Sequence, residues 1–315
     1  MSISDQIKPL DFILKPAIIK ISLEFKKNTN MTSNLTIGFI GQGFIGKNYA
    51  NDFEERGYNI IRYDLEDYKD NKDKIKDCDI VLIAVPTPTT PDGFDISIVK
   101  AVLPLIGKDK IAVIKSTLQV GTTRKLQKLF PEITIMHSPE FLREVSAGAD
   151  ARRPDRNIVG ILDTENKELY QKAKTVMSVL ATAPYNLITL VENAEMIKYG
   201  GNCFLYFKVI FMNILYDLTQ KHNLDYNAIT EAMSHDARIG NSHLQVVHKG
   251  GRGAGGHCFI KDFEAMIEML HNNGLHDQEK ATIAIRDLNL KYLKESNKDL
   301  DLVKEIYEKQ NPHQK

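Results

Sequence analysis

Leu35-Thr36-Ile37-Gly38-Phe39-Ile40-Gly41-Gln42-Gly43-Phe44-Ile45-Gly46 is the stretch whose reading decides the fold. Its first half is a mostly apolar run of strand length, and its second half spells G-x-G-x-x-G. Lys47 to Arg56 follows with a helical pattern, and Asn59 to Tyr63 reads as a second strand ending at Asp64. A strand, a glycine turn, a helix and an acidic residue about 20 positions on make a dinucleotide-binding unit. In it Gly41 allows the tight turn, Gly43 lets a pyrophosphate approach, and Gly46 lets helix and strand pack closely. The helix start, with Gln42, Phe44 and Ile45 around it, offers N–H donors to phosphates. Asp64 is placed to accept from ribose hydroxyls, which predicts NAD over NADP; the neighbouring Arg62 argues the other way. A purely structural turn is the competing reading of these glycines.

Outward from this unit the alternation continues. Asp79–Val85, Ile111–Lys115, Ile133–Met136 and Asn157–Ile161 read as further buried strands of a parallel sheet. Polar loops close three of them: Val85-Pro86-Thr87, Ser116-Thr117 and His137-Ser138-Pro139-Glu140. Ligands of open α/β sheets sit outside the carboxyl ends of the strands, so these loops are expected to face one crevice. From Glu192 to His222 the pattern is helical for roughly 45 Å. Lys198 and Asn202 fall at i and i+4, on one face of that helix. Its Phe204, Leu205, Phe207, Ile210 and Phe211 form an apolar cluster suited to a homodimer contact. Further helices are expected over 225–234, 263–271, 277–294 and 299–310. The expected class is α/β: a doubly wound parallel-sheet NAD-binding domain over 35–190, then an all-helical domain with one long central helix over 191–315. Residues 1–34 lack the basic start and smooth apolar core of a signal peptide and are expected to form a poorly ordered arm.

Lys249 to Asp262, K-G-G-R-G-A-G-G-H-C-F-I-K-D, is the second informative stretch. A thiol beside a glycine run can be presented to a small substrate while backbone N–H groups stabilise negative charge. The alternative is a flexible linker carrying an inert, packed cysteine. His257 is read as a loop residue, because neighbours in extended backbone point apart.

Composition excludes several classes. Lys+Arg and Asp+Glu are both 41 among 315 residues, so no charge footprint for nucleic acid or an anionic membrane exists. No apolar run has the length of a membrane span. Cys78, Cys203 and Cys258 are far apart, which predicts reduced thiols in the cytoplasm, with Cys78 and Cys203 as packing residues. No metal-ligand set is read.

Five motifs in order give the chain a resemblance. They are G-Q-G-F-I-G (41–46), K-S-T-L-Q-V-G-T (115–122), S-P-E-F-L-R-E (138–144), A-E-M-I-K-Y-G-G-N-C-F (194–204), and R-I-G-N (238–241) leading to G-G-H-C-F-I-K-D (255–262). Over roughly residues 35 to 290 the chain resembles the UDP-glucose/GDP-mannose 6-dehydrogenase family. The resemblance implies oxidation of a sugar C6 alcohol to a carboxylate in two hydride transfers to NAD. It makes Cys258 the nucleophile, through a thiohemiacetal and a thioester. It makes Lys198 the oxyanion stabiliser, Glu140 the acid/base group, and Asn202 and Asp262 their partners. Thr117 and Glu144 would line the nicotinamide and hydrolysis site, with Val85, Pro86, Thr87 and Ser116 among the cofactor contacts. Glu140, Phe141, Leu142, Arg143, Lys249, Gly253 and Gly255 would meet the sugar, and Arg238 would reach it across a dimer. Each has a plainer reading: Lys198 as a solvated helix residue, Glu140 as a cap, Asp262 as an N-cap.

Ile260, Val145 and Gln119 depart from the family's usual residues. Fifty-three residues follow Asp262, fewer than the second α/β domain that the resemblance implies. Weak nucleotide-sugar affinity is expected on that ground, or a partner chain supplying the domain. A non-catalytic NAD-binding or regulatory protein is the alternative function.

Overall fold

The computed structural model describes residues 35–90, 93–304 and 306. The arm expected over 1–34 lies outside the described residues, as does the far end of the helix expected over 299–310. The order begins β1 (Thr36–Ile40), α1 (Phe44–Glu55), β2 (Asn59–Tyr63), β3 (Ile80–Ile83), then a small ribbon of β4 (Thr89–Thr90) and β5 (Gly93–Phe94). It continues with α2 (Ser97–Val102), β6 (Ile111–Ile114), α3 (Thr122–Leu129), β7 (Thr134–His137), α4 (Ala147–Arg152), β8 (Arg156–Ile161), α5 (Lys167–Val179) and β9 (Tyr185–Leu190).

Seven strands form one sheet in the order β2-β1-β3-β6-β7-β8-β9. The central strands β3, β6 and β7 are buried along their whole length; β3 and β6 are unbroken apolar runs, while β7 also buries Thr134 and His137. Alternate residues serve opposite faces. Ile37 and Phe39 join Phe53, Val113, Met136 and Val176 on one face, while Ile40 joins Ile83, Leu103, Ile114 and Leu126 on the other. Burying each such side chain stabilises by about 1.5–3 kcal/mol. Phe53, fully buried and edge-on to Phe39 at 5.3 Å, anchors α1 to the sheet.

One detail departs from the all-parallel expectation. β8 pairs antiparallel with β7, at His137↔Gly160, and β9 follows β8 in parallel. A parallel return needs a crossover to the far end of the sheet. Here the connection from Ser138 stays at the carboxyl end, where α4 packs on α1 and Arg152 pairs with Glu55 at 2.6 Å. The connection spans residues 138–155 and carries α4, and it leaves β8 entering the sheet from the carboxyl end. β9 is a strand the sequence reading missed, because this edge strand is half-exposed and carries Asn186 and Thr189 among its apolar residues.

α6 (Val191–Lys221) starts directly at the end of β9. Gly160 makes room for it: a Cβ there would lie 2.7 Å from Ala194 Cβ. Glu195 of α6 is buried and accepts from Gly121 N, Thr123 N and Thr123 Oγ1 at 2.6–2.8 Å. A carboxylate is favoured at the start of a helix, here α3. Burial nevertheless pushes the Glu195 carboxyl up to about 6. Then come α7 (Tyr226–Ser234), capped by the Asp225 carboxylate, α8 (His257–Asn272), α9 (His276–Glu295) and α10 (Leu300–Val303). Tyr206 of α6 stacks on Phe263 of α8 at 3.7 Å at the centre of this half. Ile210 joins that core, so it does not belong to the outward cluster expected of it. Phe204, Phe207, Phe211, Ile214 and Leu218 do face outward. Among the described residues no helix is long and apolar enough to cross a membrane.

Candidate active site at the domain junction

The glycine turn is built as its spacing requires. Gly41 has φ +88, and a Cβ there would sit 2.4 Å from the Ala84 carbonyl oxygen. A Cβ on Gly46 would lie 1.9 Å from the Gly41 oxygen. Gly43 precedes α1 with nothing within 4 Å of a Cβ position, which leaves a phosphate room to approach. α1 starts at Phe44, so Phe44, Ile45 and Gly46 form its first turn, with no side chain capping it. Asp64, just past β2, accepts from Gln42 N at 2.8 Å and Glu66 N at 3.2 Å. Arg62 is held by Glu54 at 2.7 Å and Asn51 at 2.9 Å. The loops at the strand ends interlock: Ser116 Oγ donates to Val85 O at 2.6 Å, and Thr87 Oγ1 to Thr117 O at 2.9 Å. Lys261 Nζ reaches Thr87 O, beside Pro86, from α8 at 3.4 Å.

Two helices supply the charged centre. α6 carries Lys198 and Asn202, and α8 carries Cys258 and Asp262, each pair one turn apart. α8 begins at His257, six residues before the expected start at Phe263. His257 is therefore helical, and Asp262 is a buried second-turn residue rather than a cap. Asn202 Nδ2 donates to Asp262 Oδ2 at 2.6 Å. The other Asp262 oxygen accepts no hydrogen bond and lies 3.4 Å from Lys261 Nζ. Lys198 Nζ donates to Glu140 Oε1 at 2.6 Å and to the Glu140 carbonyl at 2.9 Å. Glu140 Oε2 accepts from Leu142 N at 2.8 Å.

Lys198 and Glu140 are both buried. Burial opposes the Lys198 charge, but Glu140, Asp262 and Cys258 outweigh it and hold the ammonium above its ordinary range. Cys258 is exposed, unlike Cys78 and Cys203. Crowding by protein atoms nevertheless pushes its thiol up, and Asp262 and Glu140 add to this, while Lys198 and Lys261 pull the other way. Cys258 is the second residue of α8, and the positive end of that helix is a further influence that favours thiolate.

The remaining expected residues are more dispersed. The Phe141 ring lies under the Arg156 guanidinium at 3.9 Å. Arg143 turns to Asp150 at 2.5 Å, and Glu144 pairs with Lys249. Arg238 is 89% exposed and pairs with Asp236. Two buried groups at the same strand ends escaped the sequence reading. Lys115 donates to Ser138 Oγ at 3.0 Å and lies over the Tyr49 ring, and burial pushes it down to about 7. His137 is fully buried; burial and then Lys115 push it down to about 3, against a smaller upward pull from the Ile114 backbone. Their signal was their place, one residue before S-T and S-P.

The glycine-rich loop is braced rather than free. Arg252 N donates to Ser296 Oγ, Ala254 N to Asn289 Oδ1, and Gly256 N to Asp299 Oδ2, at 2.7–2.9 Å. Asn289 Nδ2 and Lys298 Nζ donate to Ala254 O and Gly253 O at 2.9 Å. A Cβ on Gly255 would lie 2.0 Å from Asp299 Oδ2. Gly253 and Gly255 thus serve close packing against the chain's later segment. The amides of Arg252, Ala254 and Gly256 are thus already occupied, which narrows the expectation that backbone N–H groups of this run stabilise negative charge.

A dinucleotide-binding sheet that meets a helical domain over a lysine–carboxylate pair and an accessible thiol defines a dehydrogenase architecture. Two family models match in succession: the NAD binding domain of the UDP-glucose/GDP-mannose dehydrogenase family over residues 64–177 and its central domain over 192–291. The chain belongs to this family. It is 32% identical over 276 residues to the uncharacterised protein MJ1054 of Methanocaldococcus jannaschii, covering 74% of this chain and 30% of that one. It is 31% identical over 234 residues to a UDP-glucose 6-dehydrogenase of Rhizobium meliloti, covering 69% and 52%. The solved UDP-glucose dehydrogenase of Pyrobaculum islandicum superimposes with TM-score 0.70 at 26% identity, over 82% of this chain and 69% of that one. The chain thus spans about a third to a half of the two sequence relatives.

Proposed function

We propose that this chain is the catalytic half of an NAD-dependent nucleotide-sugar 6-dehydrogenase of the UDP-glucose type. One observation carries the reading: Cys258 and Asp262 on α8 oppose Lys198 and Asn202 on α6, with Glu140 reaching in from the sheet. The turn at Gly41–Gly46 and the Asp64 carboxylate fit NAD, which would accept one hydride in each oxidation, so that two NAD molecules are used in turn per sugar. The engagement of Arg62 by Glu54 leaves no free guanidinium for a 2′-phosphate.

The chain's own groups then divide the work. Lys198 stabilises the oxyanion formed at C6, in a site dry enough for that charge to count. Glu140 accepts and returns protons through the Lys198 contact. Cys258 adds to the aldehyde as a thiohemiacetal; its second oxidation leaves a thioester, which water hydrolyses to the carboxylate. Asn202 and Asp262 orient that water, and Thr117 and Glu144 border it. Arg238, exposed and held by Asp236, is available to a neighbouring protomer. The outward stripe Phe204, Phe207, Phe211, Ile214 and Leu218, spaced three and four apart, supports a homodimer along α6. We place the protein in the cytoplasm on its reduced thiols.

The decisive experiment measures NADH formed per nucleotide sugar consumed across a panel of UDP and GDP sugars. Two NADH per sugar is expected. One per sugar removes the cysteine step, and NAD binding without turnover on any sugar favours the regulatory alternative.

A further inference from the structure

α8 and α9 meet at a tight corner, and three side chains converge over it. The sequence there is H-N-N-G-L-H-D-Q-E, residues 271–279. His271 lies in the last turn of α8, His276 opens α9, and Glu279 follows one turn later. His271 Nδ1 is 3.0 Å from Glu279 Oε1, and His276 Nδ1 is 3.1 Å from Oε2. One ligand atom from each residue can be chosen so that all three lie within 4.8 Å of one another. The imidazole rings are 5.9 Å apart and exposed, whereas the Glu279 side chain is only 18% exposed.

Both rings turn Nδ1 to the same carboxylate, one to each oxygen, so nitrogen and oxygen donors from two helices converge on one point. Two imidazole nitrogens and one carboxylate oxygen are the donor set of a zinc-class divalent cation, with a fourth position left for water. Bonds of about 2.0–2.2 Å to a tetrahedral ion place ligand atoms roughly 3.3–3.5 Å apart. The two nitrogen–oxygen separations, 3.0 and 3.1 Å, fall slightly short of that value, and the three chosen ligand atoms all lie within 4.8 Å of one another.

We propose that His271, His276 and Glu279 bind one zinc-class divalent cation that fastens the α8–α9 corner. None of the three takes part in the chemistry proposed above. The site nevertheless bears on it, because α8 carries Cys258 and Asp262 while α9 carries Asn289, which braces the glycine-rich loop.

The test uses full-length chain, stripped by chelator and carrying Cys258→Ser so that the accessible thiol does not compete. It is titrated with Zn2+ by calorimetry and with Co2+ by visible absorption. One ion per chain is expected, with the intense bands of four-coordinate Co2+ and a Tm that rises with metal. The added His271→Ala/His276→Ala pair should weaken binding at least about tenfold and remove both signals, while circular dichroism stays unchanged. Identical titrations for the two proteins, or no uptake below roughly millimolar Zn2+, would overturn the proposal and leave the trio as a polar corner.

Discussion

The nucleotide-binding sheet and the helical half build their parts of the site by different means. In the sheet, Gly41, Thr87, Ser116 and Glu140 stand at or just beyond strand ends, so parallel pairing delivers them to one edge. In the helical half nothing comparable gathers side chains. Asn202 meets Asp262 across 60 residues, Lys198 meets Glu140 across 58, and Gly256 meets Asp299 across 43. One site is a product of topology, the other of individual long-range hydrogen bonds. Substitutions in the helical half should therefore damage chemistry while sparing the cofactor.

Cys258→Ser gives the largest expected contrast. Turnover should be abolished while NAD affinity, set by Gly41–Asp64 in the sheet, stays unchanged. Serine is the weaker nucleophile. Unimpaired turnover would mean the thiol is structural. Lys198→Ala comes next, slowing the chemical step by about 100-fold or more, the scale of one lost oxyanion donor. It also strands the buried Glu140 carboxylate, so denaturant titration should show a loss of about 3–5 kcal/mol. A stable, fast Lys198→Ala enzyme would dissolve the contrast between the halves.

The sheet has its own weakness, exposed by acid. His137 is pushed from 6.5 to about 3 and stays neutral when folded. As pH falls through 6.5, the unfolded chain gains a proton that the folded chain refuses. This group alone should therefore cost about 1.4 kcal/mol per pH unit, down to about pH 3. His137→Leu should flatten the acid limb of stability against pH; an unchanged limb would locate the acid sensitivity elsewhere. Asn289→Ala is the smallest effect: about 1–3 kcal/mol from leaving Ala254 N and O unpaired, with turnover reduced and NAD affinity retained. Equal losses in both would show that the halves are not separable.

What could be read in the sequence follows the same division. The turn at Gly41–Gly46 and the burial of β3, β6 and β7 are local patterns, and one line of text displays them. Lys198 and Asn202 were legible as types at helical spacing, because they lie one turn apart; Cys258 and Asp262 were legible as types beside the glycines but not as neighbours on a helix. The early start of α8 was hidden, since glycines before a helix read as loop. The bracing of the glycines by Asn289, Lys298 and Asp299 was hidden too, because no local rule links a lysine to a carbonyl 45 residues before it. Ile210 was misassigned because an apolar run does not say which of its members faces inward.

The bracing of the glycine-rich loop also imposes an order on synthesis. A chain that emerges N-terminus first completes the dinucleotide turn early, from residues 36 to 83. Cys258 emerges well before Asn289, Lys298 and Asp299, which at 5–20 residues per second leaves the loop without its struts for roughly 2–8 s. During that interval the nascent thiol rests on unsupported glycine backbone, open to oxidants and to wrong partners. The last piece of the site to mature is the one that touches no substrate.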